Sequence, residues 1–235
     1  MIEPNRGRAR FGVLVPFTNT NLEPDMALLA PDGVSMHFAR LGGYDVDEIP
    51  DEDQMAGLGA SDISEELRLL AGVRPDVVLY GCTSATLSHG PAFDRELART
   101  IHDRMGAETV TAAGALVHAL HARRITRIGF ASPYVASLND AAIAFLAAEG
   151  IETVARADYP EPLGNYGQGA LTPAEVTAHA LQANHDQVEA LVLSCTDMRS
   201  VEATAALQDT TGKPVITSNR AMVDLACEKI GLAKA

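Results

Sequence analysis

The chain has 235 residues, 47% of them hydrophobic, and its 31 acidic and 18 basic side chains leave a formal net charge of −13 at pH 7. A chain of this length and composition can bury a substantial core without disulfides or metals. The acidic balance argues against a nucleic-acid-binding protein, which needs a basic face. It is compatible with an anionic small substrate, because oriented backbone N–H groups make a pocket locally positive.

Apolar runs along the chain are shorter than the ~18–20 residues of a membrane span, and the N-terminal segment lacks the pattern of a signal peptide. The three cysteines are too few for a disulfide framework in a chain of this length, so we expect reduced thiols. We therefore predict a cytoplasmic protein that does not act on membranes. The sequence leaves the oligomeric state open, a homo-oligomer included.

Short runs rich in β-branched residues alternate along the chain with longer amphipathic stretches. The runs predict strands at 11–15, 34–39, 77–80, 109–111, 128–131, 152–155, 190–193 and 215–217. The stretches between them predict helices near 22–30, 61–72, 90–105, 114–123, 137–149, 173–184, 199–210 and 220–231. Strands that are short and continuously apolar are typically covered on both faces. Strand–helix alternation then predicts an α/β protein with doubly wound, Rossmann-like parallel sheets.

Capping signals mark two of the predicted helix starts. Thr172 precedes Pro173 and Glu175, the pattern of a capping box with proline in the first turn. Ser61 lies before a segment with Glu65 and is predicted to cap the helix near 61–72.

The two halves of the chain resemble each other in four blocks that follow in the same order. "RFGVLVPF" from Arg10 matches "RIGFASPY" from Arg127, and the helices that come next also match. The segment around Cys82 matches the segment around Cys195, and "TVTAAGALVHAL" matches "VITSNRAMVDLA". Because the offsets change only at predicted loops, we predict a duplicated α/β unit.

The duplication predicts two pseudo-symmetric lobes with a cleft between them. We expect a first lobe over residues 1–113, a second over 114–212, and a C-terminal strand and helix at 213–235 that pack back on the first lobe. Ligands of open α/β sheets bind beyond the carboxyl ends of the strands. The active site is therefore predicted in the cleft between the lobes.

Cys82 and Cys195 both lie where an apolar strand stops and polar residues lead into a predicted helix. A buried cysteine is often only a small apolar side chain, and Cys227, on the apolar face of the last helix, fits that interpretation. At a helix N-terminus, however, unpaired N–H groups favour the thiolate, so we expect a lowered pKa for Cys82 and Cys195. Two thiols across a substrate can add to carbon or remove a proton on one side and deliver a proton on the other. This chemistry needs no cofactor and no metal.

The paired "GCTS" and "SCT" segments and the opening "VPFTNTNLEPD" resemble those of the aspartate/glutamate racemase superfamily. Within it the chain looks most like the maleate cis–trans isomerase branch, with arylmalonate decarboxylases as relatives. The resemblance implies that Cys82 adds to the double bond of maleate and that Cys195 handles the proton on the opposite face. It also implies that Asn19 contacts one substrate carboxylate and that Tyr134 and Asn165 hold the second. The backbone amides implied to complete the anion sites are those around Thr83, Ser84 and Thr196.

The resemblance favours a cofactor-independent isomerase of a small dicarboxylate, with maleate and fumarate as the expected pair. A racemase of the same fold, using two-base proton transfer, is the first alternative. A decarboxylase is a weaker one, since arylmalonate decarboxylases keep only the second cysteine of the pair. A non-catalytic carboxylate-binding protein is also open, and it would tolerate Cys→Ser at both positions.

Three further features of the sequence carry less functional information. The acidic segment 45–53 is predicted as a solvated loop, with a weaker hypothesis that it and Tyr44 form a lid. "GNYGQG" does not have the spacing and context of a dinucleotide-binding loop. His118 and His121 share a helix face, but without a third ligand we expect a surface pair rather than a metal site.

Overall fold

Two parallel four-stranded sheets organise this computed structural model, which describes residues 7–42 and 52–233. The first sheet has the strand order β2-β1-β3-β4 and the second has the order β6-β5-β7-β8. The strands are β1 (Ala9–Pro16), β2 (Val34–Leu41), β3 (Val77–Tyr80), β4 (Glu108–Thr111), β5 (Arg127–Ala131), β6 (Glu152–Ala157), β7 (Ala190–Leu193) and β8 (Val215–Thr217). Their positions confirm the predicted strands, and the sheets confirm the predicted fold class.

Helices connect the strands and cover the sheets. They are α1 (Leu22–Leu29), α2 (Glu52–Gly59), α3 (Ser64–Ala71), α4 (Thr83–Leu87), α5 (Pro91–Met105), α6 (Ala112–Ala122), α7 (Ala136–Ala148), α8 (Gly164–Ala170), α9 (Pro173–Leu181), α10 (Ser200–Thr211) and α11 (Ser218–Lys229). The sequence did not predict α2 or α8, and it predicted α4 only as a helix of unstated extent after Cys82. Short, glycine-containing segments such as α2 and α8 carry weak helical periodicity, because glycine disfavours helix interiors.

The predicted capping box at Thr172 is present, with the Thr172 side chain and Glu175 capping each other's backbone at the start of α9. The predicted cap at Ser61 is wrong. Helix α3 begins three residues later, and Asp62 accepts the backbone N–H of Ser64 at 2.9 Å. Ser61 instead donates its hydroxyl to the carbonyl of Leu58 at 2.8 Å, closing the end of α2.

Equivalent hydrogen bonds in the two sheets reproduce the sequence repeat. The N–H of Gly81 donates to Leu14 O beyond the end of β3, and the N–H of Ser194 donates to Ala131 O beyond the end of β7, both at 2.9 Å. Thr111 and Thr217 end the last strand of each sheet, and each caps the helix that follows. The two halves are thus the same unit, built twice.

The hydrophobic core is continuous between the two halves. One cluster contains Phe11 and Val13 of β1, Phe130 of β5 and Met222 of α11, all fully buried. Helices α6 and α11 pack against each other, and each also contacts the last strand of the opposite sheet. Strand β8 pairs with β7 in the second sheet, whereas α11 contacts β4 and α1 of the first half. The boundaries that we predict for the lobes stay a prediction.

The acidic segment 45–53 and Tyr44 lie outside the described residues, apart from the backbone of positions 52 and 53 at the start of α2. The lid hypothesis therefore stays a prediction.

Candidate active site

A small pocket lies at the carboxyl ends of the central strands of both sheets. Cys82 follows β3 by two residues and Cys195 follows β7 by two residues, and both line this pocket. Ligand sites in parallel sheets occupy this position because strand ends and helix N-termini converge there. Other residues predicted for the site also line it: Asn19, Thr83, Ser84, Tyr134 and Thr196.

The Cys82 thiol lies in the opening turn of α4. Its Sγ is 3.7 Å from the hydroxyl of Ser84, and the backbone N–H groups of Ser84 and Ala85 point to it. Burial nevertheless raises the pKa of Cys82, although each of these hydrogen bonds lowers it. The expected lowering is wrong here, because desolvation by burial outweighs the hydrogen bonds at the helix N-terminus.

The Cys195 thiol lies beside an acidic residue, Asp197. Its Sγ accepts the N–H of Asp197 at 3.3 Å and lies 3.4 Å from the hydroxyl of Tyr134. Burial, followed by the negative charge of Asp197, raises the pKa of Cys195 to about 12. The lowered pKa expected for Cys195 is therefore wrong as well.

A buried hydrogen-bond network holds Tyr134, which lines the pocket beside Cys195. Its backbone N–H donates to Ser132 Oγ at 3.2 Å, and Ser132 in turn donates to Asn139 Oδ1 at 2.5 Å. Asn139 Nδ2 donates back to the Tyr134 carbonyl at 3.3 Å and to Asp158 at 2.7 Å. Burial, together with the negative charge of the neighbouring thiolates when they form, raises the pKa of Tyr134 well above its ordinary value. The phenol therefore stays neutral and can donate a hydrogen bond.

Asn19 lines the pocket and joins the first half of the chain to the second. Its Oδ1 accepts the backbone N–H groups of Asn21 and Leu22 at the start of α1, so this oxygen is already used. Its Nδ2 donates to Thr196 Oγ1 at 3.0 Å, and Thr196 donates to the carbonyl of Gly81 at 2.8 Å. Only the amide NH₂ of Asn19 remains to meet a carboxylate, since one of its two hydrogens is still unassigned.

Asp197, which no sequence pattern indicated, lines the same pocket. Its Oδ1 accepts the backbone N–H groups of Thr20 at 2.7 Å and Asn21 at 3.0 Å, both in the other half of the chain. Burial raises the pKa of Asp197 to about 6 despite these hydrogen bonds. Gly169 of α8 makes room for this cluster, because a Cβ there would lie 2.7 Å from Thr20 Oγ1 and 2.9 Å from Asp197 Oδ2.

Asn165 does not line the pocket, although it is buried on α8. Gln168, further along the same helix, does line it. The Gln168 Oε1 atom is buried and has no hydrogen-bond partner in the part of the chain that the structure describes. A buried amide group normally has a partner, so the Oε1 of Gln168 can accept a hydrogen bond from a ligand, and its Nε2 is the group that can donate to a carboxylate. The role predicted for Asn165 stays a prediction.

The side chain of Thr83 is turned away to the start of α11, where its hydroxyl donates to Ser218 Oγ at 3.1 Å. It can serve a ligand only through its backbone. Met55 and Leu58 of α2 close the apolar side of the pocket, and Ser84 donates its hydroxyl to Met55 Sδ at 3.1 Å. Neither apolar residue carried a sequence signal, because α2 was not predicted.

Outside the pocket, the described residues contain no group of three or more His, Cys, Asp or Glu side chains that could hold a metal. His118 pairs with Glu228 at 3.2 Å, and His121 contacts the carbonyl of Glu149 at 2.9 Å. Cys227 is fully buried in the shared core, and none of the three cysteines forms a disulfide. Within the described ranges, every helix is too short or too polar to cross a bilayer.

Comparisons with known proteins give one family. A family model described as arylmalonate decarboxylase matches residues 11–235. The maleate isomerase of Nocardia farcinica is 30% identical over 224 residues, 90% of this chain and 86% of that protein. The arylmalonate decarboxylase of Bordetella bronchiseptica is 24% identical over 221 residues, 88% of this chain and 82% of that protein.

A solved structure of the Nocardia farcinica maleate cis–trans isomerase superimposes with a TM-score of 0.87 and 25% identity, covering 95% of this chain and 93% of that chain. That protein is a cysteine-to-serine mutant with a covalently bound succinylcysteine intermediate.

Proposed function

The chain belongs to the arylmalonate decarboxylase family, a family of enzymes with isomerase and decarboxylase members, and we propose that it is a cis–trans isomerase of a small dicarboxylate that converts maleate to fumarate. The observation that carries this proposal is the pair of thiols, Cys82 and Cys195, on equivalent strand ends of the two halves and lining one pocket. The similarity to maleate isomerases over about nine-tenths of the chain supports it.

In the proposed reaction the thiolate of Cys82 adds to one olefinic carbon of maleate and forms a carbon–sulfur bond. The electrons of the double bond move to the neighbouring carbon, which takes the proton of the Cys195 thiol. The product is a succinyl thioether, whose central carbon–carbon bond is single and can rotate. Cys195 then takes a proton back, the double bond re-forms, and the bond to Cys82 Sγ breaks. No proton is gained or lost overall.

Polar groups around the pocket would bind the two carboxylates and stabilise the enolate-like charge that develops beside one of them. The N–H groups of Ser84 and Ala85 lie beside Cys82. The NH₂ group of Asn19 and the hydroxyl of Tyr134 offer donors from the two halves. The Nε2 group of Gln168 would supply a further donor from α8.

The two-thiol arrangement also fits the racemase alternative, in which the thiols exchange the proton of a carbon next to a carboxylate. Simple decarboxylation fits less well, because it needs one proton donor to a planar intermediate and leaves Cys82 without a task. The first two reactions differ in their isotope labelling: racemisation in heavy water deuterates the α-carbon, whereas thioether isomerisation can proceed without incorporation.

The test is a proton NMR time course of the reduced protein with maleate in heavy water. We expect the fumarate signal to appear with the wild-type protein and with Cys227→Ala, whose thiol lies outside the pocket, and to be absent with Cys82→Ala. Circular dichroism would verify that each variant is folded. Unchanged maleate over hours with folded wild-type protein would refute the maleate assignment. Deuterium at the α-carbon of an amino or hydroxy acid would instead favour the racemase.

A further inference from the structure

The repeat places two different residues at one equivalent position beside the thiols. Ser84 follows Cys82 by two residues, and Asp197 follows Cys195 by two residues. The first is a neutral hydroxyl, 3.7 Å from its thiol. The second is a carboxylic acid whose backbone N–H donates to its thiol at 3.3 Å. The two thiols therefore have matching backbone settings and differ in the charge beside them.

The Asp197 carboxylate is held in place by the other half of the chain. Thr20 and Asn21 donate backbone N–H groups to its Oδ1 at 2.7 and 3.0 Å, and their side chains contact the same atom at 3.4 Å. This ring of donors holds the acid beside Cys195 and supports its ionised form. Burial opposes ionisation and brings the pKa of Asp197 to about 6, so the carboxylate is mostly charged at pH 7 and above.

The other groups that face Cys195 come from three elements. Tyr134, after β5, meets the sulfur with its hydroxyl, and Cys82 lines the same pocket. The N–H of Met198 adds a donor from the Cys195 segment itself. The buried carboxyl of Asp25 is a further charged group that interacts electrostatically with Asp197. Arg199 and Glu202, which form an ion pair, also act on Asp25.

We propose that Asp197 differentiates the two thiols: its carboxylate keeps Cys195 as a neutral thiol, which serves as the proton donor, and thereby leaves Cys82 to ionise first and act as the nucleophile. The assignment of roles rests on the proposed function. The inequality of the two thiols does not, and it can be measured without a substrate. Asp197 acts through Cys195 and is in this sense a positioning residue.

The proposed reaction uses one thiolate and one thiol, and unequal acidity fixes which of the two thiols takes each role. The addition step consumes one thiolate and one thiol, so an enzyme with both groups ionised lacks the acid and one with both groups neutral lacks the nucleophile. A carboxylate beside only one thiol separates their ionisation, because a like charge disfavours the thiolate. Ser84, at the equivalent position, is neutral, and the backbone N–H groups of Ser84 and Ala85 favour the thiolate of Cys82.

The test measures the rate of alkylation of each cysteine by iodoacetamide from pH 6 to pH 10, read by peptide mass spectrometry on the full-length protein. In the wild type, Cys82 should become reactive at lower pH than Cys195. In Asp197→Asn, the profile of Cys195 should move to lower pH by about one unit, which is about a tenfold faster rate at a fixed pH below both pKa values. Asp197→Glu, which keeps the charge, should restore most of the wild-type difference.

The matched control is Asp94→Asn, which removes a buried acid of α5 that is not in the pocket and whose pKa is also raised to about 6 by burial. It should leave the Cys195 profile unchanged. A second variant, Ser84→Asp, adds the carboxylate beside Cys82 without touching Asp197, and should slow alkylation of Cys82 by about tenfold. An unchanged Cys195 profile in folded Asp197→Asn, or unchanged reactivity of Cys82 in folded Ser84→Asp, would overturn the proposal.

Turnover separates this proposal from the proposed function. With an active isomerase, Asp197→Asn should lose activity on the alkaline side at lower pH than the wild type, because Cys195 then loses its proton earlier. If the enzyme isomerises maleate but its two thiols have equal alkylation profiles, only the inference on Asp197 would be refuted. Unequal profiles in a protein that leaves maleate unchanged would support that inference and reject the substrate.

Discussion

Replacing Gly129 by alanine adds a methyl group in the middle of β5, where the chain leaves no room for it. The new Cβ would lie 2.2 Å from the carbonyl oxygen of Ala183 and 2.8 Å from Leu191 Cδ2. The repeat provides a matched control, because Gly12 takes the same position in β1 and its added Cβ would meet Pro75 Cβ at 3.3 Å and Leu70 Cδ1 at 3.6 Å.

The two substitutions should differ in their effect on the free energy of unfolding. At Gly12, the side chains of Pro75 and Leu70 need to move by only a few tenths of an ångström. Alanine also lowers the conformational entropy of the unfolded chain, which stabilises the folded protein by ~0.4–1 kcal/mol. We therefore expect Gly12→Ala to change stability by less than about 1 kcal/mol. At Gly129 the obstacle is backbone, which moves only with the segment after α9. Overpacking of this kind costs ~1–3 kcal/mol or more, and we expect at least about 3 kcal/mol.

Urea unfolding followed by far-UV circular dichroism would measure both variants against the wild type. For a protein of this size, ~3 kcal/mol corresponds to a fall in Tm of roughly 6–12 °C. If Gly129→Ala were as stable as Gly12→Ala, the close approach of β5 to the Ala183 carbonyl would be refuted, and with it the packing of α9 on the second sheet.

Four further expectations concern the site and the buried acids. Tyr134→Phe should lower kcat by roughly 10–100-fold, because it removes the hydroxyl 3.4 Å from Cys195 Sγ; kinetics with maleate would check this, and wild-type kcat would exclude a role for that hydroxyl in turnover. Gln168→Leu should raise KM by about tenfold, the worth of one hydrogen bond to a charged group, and leave the alkylation of both cysteines unchanged; an unaltered KM would exclude Gln168 as a substrate contact. Burial raises the pKa of Cys82, and the nucleophile is the deprotonated form, so kcat/KM should climb as pH rises from 7 to 9; a flat profile would contradict a thiol that starts protonated. The folded-state pKa of Asp94, about 6, exceeds its unfolded value. The free energy of unfolding of the wild type should therefore fall relative to that of Asp94→Asn as pH rises from about 4 to about 6, by up to about 3 kcal/mol. Chemical unfolding at pH 4 and pH 8 would measure this, and the same stability difference between the two proteins at both pH values would show that Asp94 is not desolvated.

Local pattern was sufficient for the strands and for the duplication. Runs such as those of β3 and β7 are short, apolar and bounded by polar residues, and this pattern arises because both faces of a parallel strand are covered. The same order of blocks in both halves predicts two equivalent sheets, and it places Cys82 and Cys195 at equivalent strand ends. These are properties of each segment and its copy, which a sequence carries without knowledge of distant contacts.

Local pattern did not predict helices α2 and α8, and it therefore did not predict the residues that these helices bring to the pocket. Helix α8 contains Gly164, Gly167 and Gly169, which makes its helical pattern weak. Without its register, a sequence cannot tell that Gln168 lines the pocket while Asn165 does not. Resemblance pointed to Asn165 by its position in the chain, but the orientation of a side chain depends on how its helix packs.

The ionisation of the site was decided by tertiary structure alone. A cysteine that precedes a helix in the sequence predicts a lowered pKa, because the N–H groups of the first helical turn favour the thiolate. Those N–H groups are close in the chain and can be predicted from it. The opposing effects come from groups far apart in the chain: burial of both thiols by two halves that close on each other, and Asp197 held beside Cys195 by Thr20 and Asn21, 177 and 176 residues away. The sequence by itself determined which two thiols can do chemistry here, since they are local features of two repeated segments. Only the folded chain decided their protonation and their division of labour, because desolvation and long-range charge exist only after the halves have packed.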